Sequence, residues 1–546
     1  IDGSDILGGM ENYWYYSTKF LFAVASRLKK PVGMEMSAMS HFWWHYRSRW
    51  QAWDVPRRGY KKFVDIHASS LKSEEEDHGY WRGHTPQFNR YAQLTNGGLL
   101  LPLHLGWWQH FTWDPPNTEF LFPDDVEYLG CKMIGNNAGL SMSSGYQKKD
   151  IEENPSFKRL NTIIKQYETL RQQQYFSEEI CRLLRVSEKE YTLFLQKNGK
   201  WNFKPASYHK NFFKGDEDSR QWKVQNEYAD QPLKLRIQPQ MSVMPYNDPA
   251  AITIAQFSNP NEFGDKRTAE GVTGDITASV SDKNHPGKLA SFTAYSAGLS
   301  PQKGSWLKLE KKFEPWANLE KNKGLGVWVK GDGNGQLLNL RLETPEHLSA
   351  GVRGDHYIKV DFKGWKYFEL VELESSAFTD YLWPGSEIIK DTKVKDLFVY
   401  KSYLHSVQYS KVDKLQLWYN NLPEGKEVSC ILSPVKALPL VLYKVENPVI
   451  TVNGKKIMFP VTLESGMYLE FNSATDCKLY DPKGAFIKDV KPVGTIPVLL
   501  AGENTVAFSC EGRKDINPRV AVTVINHGAP LPETLNQKQI INHLNK

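Results

Sequence analysis

The sequence predicts an α/β plus all-β multidomain protein, and two patterns predict it. Over residues 1–154, short apolar stretches alternate with helical stretches, which is typical of strands and helices in a parallel sheet. From about Trp222, polar and apolar residues alternate between frequent Gly, Asn, Pro and Asp turns, which indicates β-sandwiches. The chain has 546 residues. This length leaves room for about three or four domains.

Residues 1–154 contain four predicted strand–helix units. Strands are expected at 1–4, 31–36, 99–105 and 138–143, and helices at 12–30, near 60–71 and from Pro123 to about Gly135. Four such units are about half of an eightfold barrel. We therefore interpret residues 1–154 as the C-terminal half of a (β/α)8 barrel, with the first half expected upstream of Ile1. An open four-stranded α/β sheet is the alternative.

The rest of the chain is predicted to form three further units. Residues 155–221 are expected to be a helical connector, with helices at 156–175, 177–184 and near 188–196, the last preceded by a capping box of Ser187 and Glu190. Residues 222–440 are predicted to be a jelly-roll β-sandwich, in which the turn 331–335 joins a hairpin. Residues 441–546 are predicted to be an immunoglobulin-like β-sandwich with a polar tail.

Charge, hydropathy and cysteine spacing narrow the classes of function. The net charge of +6 comes without the long basic stripe of a nucleic-acid-binding protein, and no apolar run reaches the length of a membrane helix. We therefore expect neither a nucleic-acid partner nor a membrane span. The five Cys are widely spaced without a C-x-x-C motif, so we expect no metal and no cofactor. We interpret these Cys as buried thiols, with a Cys477–Cys510 pair as the alternative.

Aromatic residues are the compositional outlier. They make up 13% of the chain, and 17 residues are Trp, many of them before residue 114. Flat aromatic faces pack against the C–H faces of sugar rings, while nearby polar groups bind the hydroxyls. This composition favours a cleft for a polysaccharide or oligosaccharide, and a large aromatic core is the alternative.

The predicted strand ends select three candidate catalytic carboxylates. In a barrel, catalytic residues lie at the carboxyl ends of the strands, which selects Asp2, Asp5 and Glu35. Glycosidic cleavage needs one carboxyl group to protonate the leaving oxygen and another to act as nucleophile or to activate water. The apolar setting of Glu35 favours the acid, because burial raises a carboxyl pKa. Asp2 or Asp5 would be the nucleophile or base. A turn residue and a structural ion pair are the respective alternatives for Asp2 and Glu35.

Candidate substrate-binding groups follow the second and third predicted strands. They are aromatic or cationic: His41, Trp44, His45, Arg47, Arg49, His104, Trp107 and Trp108. Arg guanidinium groups bind carboxylates and sulfates through paired hydrogen bonds, and aromatic rings beside them hold sugar rings. A solvated basic face is the alternative for residues 40–62.

Two other functions remain open at this point. In a lyase acting on a uronic-acid glycan, His41, His45 or Tyr46 would remove the C5 proton and Arg47 or Arg49 would neutralise the carboxylate. A glycan-binding surface protein without catalysis is the other alternative.

The Asp2-Gly3 pair at a strand end, Glu35 and the two β-rich regions resemble multidomain bacterial polysaccharide-degrading enzymes, which join a (β/α)8 barrel to C-terminal sandwiches. The Asp-Gly pair is similar to that of barrel glycoside hydrolases of the α-galactosidase type, and residues 325–333 are similar to carbohydrate-binding jelly rolls. The resemblance implies a glycoside hydrolase with accessory glycan-binding sandwiches. It also implies a secreted, periplasmic or cell-surface location.

Overall fold

A computed structural model gives the fold. It describes residues 11–29, 35–36, 49–50, 60–69, 104–108, 116, 120–142, 148–259, 261–282, 285–299, 304–345, 353–372 and 407–532. The description below concerns these residues.

The helices of the described residues lie mostly before residue 185. They are α1 (Glu11–Ala25), α2 (Tyr60–Ser69), α3 (Pro123–Asn136), α4 (Lys148–Glu152), α5 (Pro155–Gln172), α6 (Glu178–Leu184) and α7 (Glu217–Arg220). A single 3-10 turn is described at Tyr409–Lys411. None of the described helices is long and apolar enough to cross a membrane.

Strands dominate the rest. Up to residue 243 they are β1 (Glu35–Met36), β2 (Arg49–Trp50), β3 (His104–Trp108), β4 (Gly139–Met142), β5 (Glu190–Leu195), β6 (Trp201–Phe213), β7 (Gln221–Asn226), β8 (Gln231–Pro232), β9 (Leu235–Pro239) and β10 (Ser242–Val243). From 252 to 438 they are β11 (Ile252–Ala255), β12 (Asp265–Thr268), β13 (Val272–Asp282), β14 (His285–Ser296), β15 (Leu307–Ala317), β16 (Gly324–Asp332), β17 (Leu337–Glu343), β18 (Arg353–Gly354), β19 (Tyr357–Lys359), β20 (Lys363–Val371), β21 (Val412–Asn420), β22 (Glu427–Leu432) and β23 (Val435–Leu438). Beyond 439 they are β24 (Leu440–Val441), β25 (Lys444–Val452), β26 (Lys455–Met458), β27 (Thr462–Glu464), β28 (Tyr468–Ser473), β29 (Asp476–Tyr480), β30 (Phe486–Asp489), β31 (Val493–Gly494), β32 (Val498–Leu499), β33 (Gly502–Glu511) and β34 (Val520–His527).

The N-terminal segment contains two parallel strand pairs, β1–β2 and β3–β4. Helix α3 connects β3 to β4, as predicted, because Pro123 fixes the first turn and the Asp125 carboxylate accepts a hydrogen bond from the Phe122 N–H at 2.9 Å. The helix ends where Asn137 adopts a φ of 48°. The two pairs are not joined into one sheet in the described residues. The described residues therefore support sandwiches with an attached α/β segment, and the predicted barrel is not among them.

A β-sandwich is built from two distant parts of the chain, 190–239 and 444–527. One sheet has the order β30-β29-β28-β9-β34-β6-β5, and the other has the order β31-β26-β25-β33-β7 with β27 beside β25. Side chains from both parts, such as Val224, Ile237, Phe471 and Val522, share one core. We call this unit the split sandwich. The predicted boundaries at 221/222 and 440/441 are therefore wrong for these strands.

The helix predicted near 188–196 is also wrong. Residues Glu190–Leu195 form β5, an edge strand paired antiparallel with β6. The β-branched and aromatic side chains of this stretch fit a half-buried strand, and backbone pairing with β6 overrides the weak capping pattern of Ser187 and Glu190.

Residues 252–438 form a second sandwich, which is inserted into the first. We call it the inserted sandwich. Its seven-stranded sheet has the order β11-β23-β16-β22-β14-β13 with β20 beside β16, and its six-stranded sheet has the order β12-β15-β21-β17-β18 with β19 beside β17. The chain enters and leaves through β10 and β24, which pair antiparallel. The jelly-roll region is thus a sandwich as predicted, but it begins at 252 rather than at 222.

The predicted hairpin around 331–335 is wrong. Strands β16 and β17 exist but lie in opposite sheets, so the turn crosses between the sheets. Gly333 and Gly335 have φ values of 78° and 84°, which other residues rarely adopt. The Asp332 carboxylate accepts hydrogen bonds from Gln336 Nε2 at 3.0 Å and Ser429 N at 2.6 Å. These bonds hold the turn.

The N-terminal segment packs against the inserted sandwich, and the cysteines remain unpaired. Leu105 and Trp108 of β3 belong to the same buried cluster as Leu337 and Trp418 of the six-stranded sheet, so the N-terminal segment packs against the outer face of that sheet. All five cysteines are free thiols, as favoured over a Cys477–Cys510 disulfide.

The closest helix packing gives a test of the N-terminal segment. A Cβ added at Gly130 of α3 would lie 2.4 Å from Tyr167 Cδ1 of α5, whereas a Cβ at Gly139 would meet its nearest neighbour, Arg171 Nη2, only at 4.0 Å. We expect Gly130→Ala to lower the free energy of unfolding by about 1–3 kcal/mol through overpacking. Gly139→Ala should change it by less than about 0.5 kcal/mol. Denaturant unfolding measures both, and equal effects would contradict the α3–α5 packing.

Candidate functional site

Most of the predicted site residues lie outside the described residues. These are Asp2, Asp5, His41, Trp44, His45 and Arg47. For Glu35 and Arg49 the structure gives the position in a sheet: their strands run parallel, and Glu35 is paired with Arg49. The proposed acid and one proposed substrate-binding cation thus share a register position on neighbouring strands.

The third strand carries three predicted substrate-binding residues. His104 is paired with Gly139 of β4, and Trp107 with Ser141. Trp108 is fully buried, and its indole N–H donates a hydrogen bond to the Leu105 carbonyl at 3.0 Å. The prediction that Trp108 binds substrate is therefore wrong, because its ring belongs to the core.

A row of aromatic rings lies on the outer face of the seven-stranded sheet of the inserted sandwich. His285 lies between Trp365 and Trp328, with ring centroids 4.3 and 4.8 Å away. Trp328 lies 5.1 Å from Tyr367, and Tyr367 lies 5.9 Å from Tyr246. All five side chains are partly exposed. We call these five residues the aromatic platform.

Strand alternation places the platform on this face. In β16, Leu325, Val327 and Val329 point into the core, so Trp328 points outward. Strand β20 runs antiparallel beside β16, with Tyr367 opposite Trp328. Side chains directly opposite each other in an antiparallel pair lie on the same face. The platform is therefore set by the register of β16 against β20.

A glycine gives the rings room against the strand. A Cβ added at Gly326 would lie 2.9 Å from the Tyr367 hydroxyl oxygen and 2.6 Å from Leu438 Cδ1. Both distances are shorter than ordinary non-bonded contacts, so a larger residue at this site would force Leu438 and Tyr367 to shift.

Polar groups flank the rings. Lys330 Nζ lies 2.7 Å from the Asp282 carboxylate. Lys436 Nζ lies 4.1 Å from the Tyr246 ring centroid and donates a hydrogen bond to the Tyr246 carbonyl at 3.0 Å. The Tyr367 hydroxyl has no hydrogen-bond partner among the described residues. Burial, followed by the nearby Glu369 carboxylate, raises the pKa of Tyr367, so the hydroxyl stays protonated. The face thus combines flat apolar rings with hydrogen-bonding groups.

The platform was not predicted from the sequence, because the densest aromatic stretches lie in the predicted barrel before residue 114. One local pattern indicates part of it: the spacing of Trp365 and Tyr367 places both on one face of a strand. Trp328, the partner of Tyr367 on the neighbouring strand, lies 37 positions before Trp365 in the sequence. No sequence pattern specifies its pairing with Tyr367.

A second cluster joins the N-terminal segment to the split sandwich through buried charges. The Asp124 carboxylate of α3 lies 2.8 Å from Lys61 Nζ of α2 and 2.9 Å from Arg236 Nη1 of β9. Lys61 also contacts the Glu190 carboxylate of β5 at 2.6 Å. Burial alone would raise the pKa of Asp124, but the charges of Lys61 and then Arg236 outweigh it and hold that pKa well below its usual range. Asp124 therefore stays ionised.

Two other carboxyl groups of this cluster shift in the opposite direction. Burial raises the pKa of Glu190 to about 7, although Lys61 opposes the shift. Burial, followed by the Asp124 charge, raises the pKa of Glu127 to about 8. Carboxyl groups with separated pKa values also occur in acid–base catalysis. Here Asp124 is only 7% exposed and is enclosed by α2, α3 and the sheet. We therefore assign the cluster to structure.

Comparisons with known proteins give weak similarities to solved structures. No protein-family model matches the chain. No curated protein matches it. A family 11 carbohydrate-binding module of a cellulosomal cellulase of Clostridium thermocellum is 13% identical over 35% of this chain and 95% of that chain, with a TM-score of 0.23. An exo-beta-agarase is 12% identical over 34% of this chain and 24% of that chain, with a TM-score of 0.22. A beta-1,2-glucanase from Parabacteroides distasonis is 13% identical over 42% of this chain and 36% of that chain, with a TM-score of 0.20.

The raised pKa of Glu127 predicts a pH dependence of stability. The folded protein binds this proton more tightly than the unfolded chain does, so the contribution of Glu127 to stability is present below pH 4.5 and is lost as pH rises to about 8. We expect Glu127→Gln to remove this loss and to be more stable than wild type above pH 8. The expected gain is on the order of 1–3 kcal/mol.

Denaturant unfolding across this pH range measures the effect. Glu503→Gln is the control, because Glu503 is 61% exposed beside Lys223 at the surface. An identical pH profile for Glu127→Gln and wild type would show that Glu127 titrates normally.

Proposed function

We propose that the protein is carbohydrate-active and binds a glycan across the aromatic platform. The observation that carries this proposal is the partly exposed row of five rings from Trp365 to Tyr246, with centroid separations of 4.3 to 5.9 Å. Sugar rings present C–H faces that pack on such rings, and their hydroxyls need polar partners beside them. Lys330, Asp282 and Lys436 supply those partners.

The charges around the platform favour a glycan over a nucleic acid. Proteins that stack nucleobases combine aromatic rings with a positively charged groove that follows the phosphates. Here the Lys330 ammonium group is paired with Asp282. The Glu369 carboxylate lies on the same strand and face as Trp365 and Tyr367, opposite Gly326. A polyanion would therefore meet a paired cation and a carboxylate, whereas a polyol would find both donors and acceptors.

We propose further that residues 1–154 cleave glycosidic bonds by acid–base hydrolysis. Glu35 would be the acid, and Asp2 or Asp5 the nucleophile or base. The pairing of Glu35 with Arg49 on parallel strands supports a site here, because it puts the proposed acid beside a proposed substrate-binding cation. Substrate contacts would come from the remaining candidates: His41, Trp44, His45, Arg47, Arg49, His104 and Trp107. A half-barrel for this region and a secreted, periplasmic or cell-surface location belong to the same proposal.

Substitution of the platform rings tests glycan binding. We expect Trp328→Ala and Trp365→Ala each to weaken binding by about tenfold, because each removes a stacking face worth about 1–2 kcal/mol. Isothermal titration against neutral and acidic polysaccharides measures the affinity, and circular dichroism checks the fold.

The matched control is Trp316→Ala. Trp316 is 44% exposed and lies on β15 of the opposite sheet. It should bind as wild type does. Unchanged affinity in both platform variants, or equal loss in all three, would refute the platform as the binding site.

Substitution of Glu35 tests hydrolysis separately. We expect Glu35→Gln to lower the release of reducing ends from the best-bound glycan by about 100-fold or more, since the general acid is lost. Glycan affinity should be unchanged, because the platform is intact. Glu503→Gln should leave turnover unchanged.

Three outcomes would contradict the hydrolytic assignment. Full turnover by Glu35→Gln would remove Glu35 from the mechanism. Products that absorb as unsaturated uronates would show elimination by a lyase. Tight binding without any turnover by the wild-type chain would show a glycan-binding protein.

A further inference from the structure

Three basic side chains lie together on one face of the seven-stranded sheet of the split sandwich. His527 of β34 is paired with Ala206 of β6, and Lys204 lies two positions from Ala206 on the same face. The Lys234 carbonyl accepts a hydrogen bond from Ile525 N at 2.9 Å, so Lys234 is opposite Ile525, two positions from His527. His527 therefore lies diagonally between the two lysines, about 7 Å from each by strand geometry.

Neither lysine has an ion-pair partner among the described residues, which is unusual for a pair of partly buried ammonium groups. The Asp476 carboxylate is near enough to Lys234 that the lysine charge adds to the Lys478 hydrogen bond in lowering the pKa of Asp476. The Nδ1 atom of His527 is buried and has no hydrogen-bond partner in the same part of the chain. Buried polar atoms are nearly always paired in folded proteins, so the His527 Nδ1 atom is exceptional beside two cations that form no ion pair.

The backbone of His527 is held in place. Its N–H donates a hydrogen bond to Gln231 Oε1 at 2.8 Å, and its carbonyl accepts one from Gln231 Nε2 at 3.2 Å. The imidazole thus projects from a fixed point of the sheet. Its side chain and those of both lysines are partly exposed, which leaves a path from solvent.

The pKa shifts of His527 and Lys204 reflect the positive charges around them. Burial and then the charges of Lys204 and Lys234 lower the pKa of His527 to about 3. Burial and then the charge of Lys234 lower the pKa of Lys204, and the Glu127 carboxyl group opposes this shift. Because the pKa of Glu127 is about 8, that carboxyl is mostly neutral at pH 7. Lys204 therefore has no full counter-charge at neutral pH, whereas Lys234 lies in the field of the ionised Asp476 carboxylate.

We propose that Lys204, Lys234 and His527 form a binding site for an oxyanion group, a carboxylate or a sulfate. Ammonium groups and an imidazole N–H donate charge-assisted hydrogen bonds to such oxygens. The anion would offset the repulsion between the lysines and accept a hydrogen bond from the His527 imidazole. The group comes either from a free inorganic anion or from an acidic substituent of a glycan, and both present the same oxygens. The site is separate from the aromatic platform, so the outcome of its test does not depend on the glycan proposal.

Titration of the full chain at constant ionic strength tests the site. One arm uses sodium sulfate, and the other uses a uronic-acid oligosaccharide and a sulfated oligosaccharide, with sodium chloride as the reference salt. We expect saturable binding that is about tenfold weaker in the double variant Lys204→Gln/Lys234→Gln. Tighter binding of the oligosaccharides than of sulfate identifies a glycan substituent as the source, and equal or tighter binding of sulfate identifies a free anion.

Two variants separate binding from structure. The control Lys455→Gln/Lys456→Gln changes two exposed lysines of β26 and should bind sulfate as wild type does. Lys204→Arg/Lys234→Arg keeps both charges and should retain binding.

Thermal unfolding tests the repulsion between the two lysines without a measurement of binding affinity. In chloride the Lys204→Gln/Lys234→Gln variant should unfold at a higher temperature than wild type, because the repulsion is removed. Saturating sulfate should remove this difference. Lower stability of the variant in chloride, or sulfate effects equal to those of chloride at the same ionic strength, would overturn the proposal.

Discussion

The placement of the N-terminal segment depends on the contacts of the Asp124 carboxylate. It accepts hydrogen bonds from Lys61 of α2 and Arg236 of β9, and Arg236 also lies 3.4 Å from the Phe122 ring centroid. Charges taken out of water are stable only when each has its partner, and a single loss costs about 3–5 kcal/mol. Lys61, Asp124 and Arg236 come from three elements that are distant in sequence. Their pairing therefore fixes one arrangement of the segment on the split sandwich.

The insertion imposes a second constraint on the fold. Strand β9 lies between β28 and β34, which follow the inserted sandwich in the chain, so the split sandwich closes only after 252–438 has returned. The β10–β24 ribbon makes that return local. A further hydrogen bond joins the two sandwiches: Arg519 Nη1 donates to the Glu369 carbonyl at 3.0 Å. Glu369 lies on the strand that carries Trp365 and Tyr367. The platform is thereby oriented by the split sandwich.

Sequence patterns predicted the elements whose causes are local. Helix α3 follows from Pro123 and the acids of its first turn, and β16 follows from the alternation that ends at Asp332. The patterns did not predict strand partners, because alternation specifies which face a side chain takes and not which strand lies beside it. Strand β5 was therefore mistaken for a helix, and β16 was assigned to a hairpin with β17. The platform and the Asp124 cluster depend on such pairings, so neither could be predicted.

The two outer faces of the inserted sandwich differ, and the difference supports the platform as the proposed binding surface. The six-stranded sheet buries the part of its outer face that carries Trp418 and an ion pair in which Arg341 Nε lies 2.6 Å from the Asp355 carboxylate. The fold thus has the means to cover aromatic and even charged side chains with the N-terminal segment. On the opposite sheet Trp328 and Trp365 remain partly exposed. Leaving large rings in water forgoes about 25 cal/mol for each Å² of apolar surface. A contiguous patch of this kind marks a surface on which a ligand completes the burial.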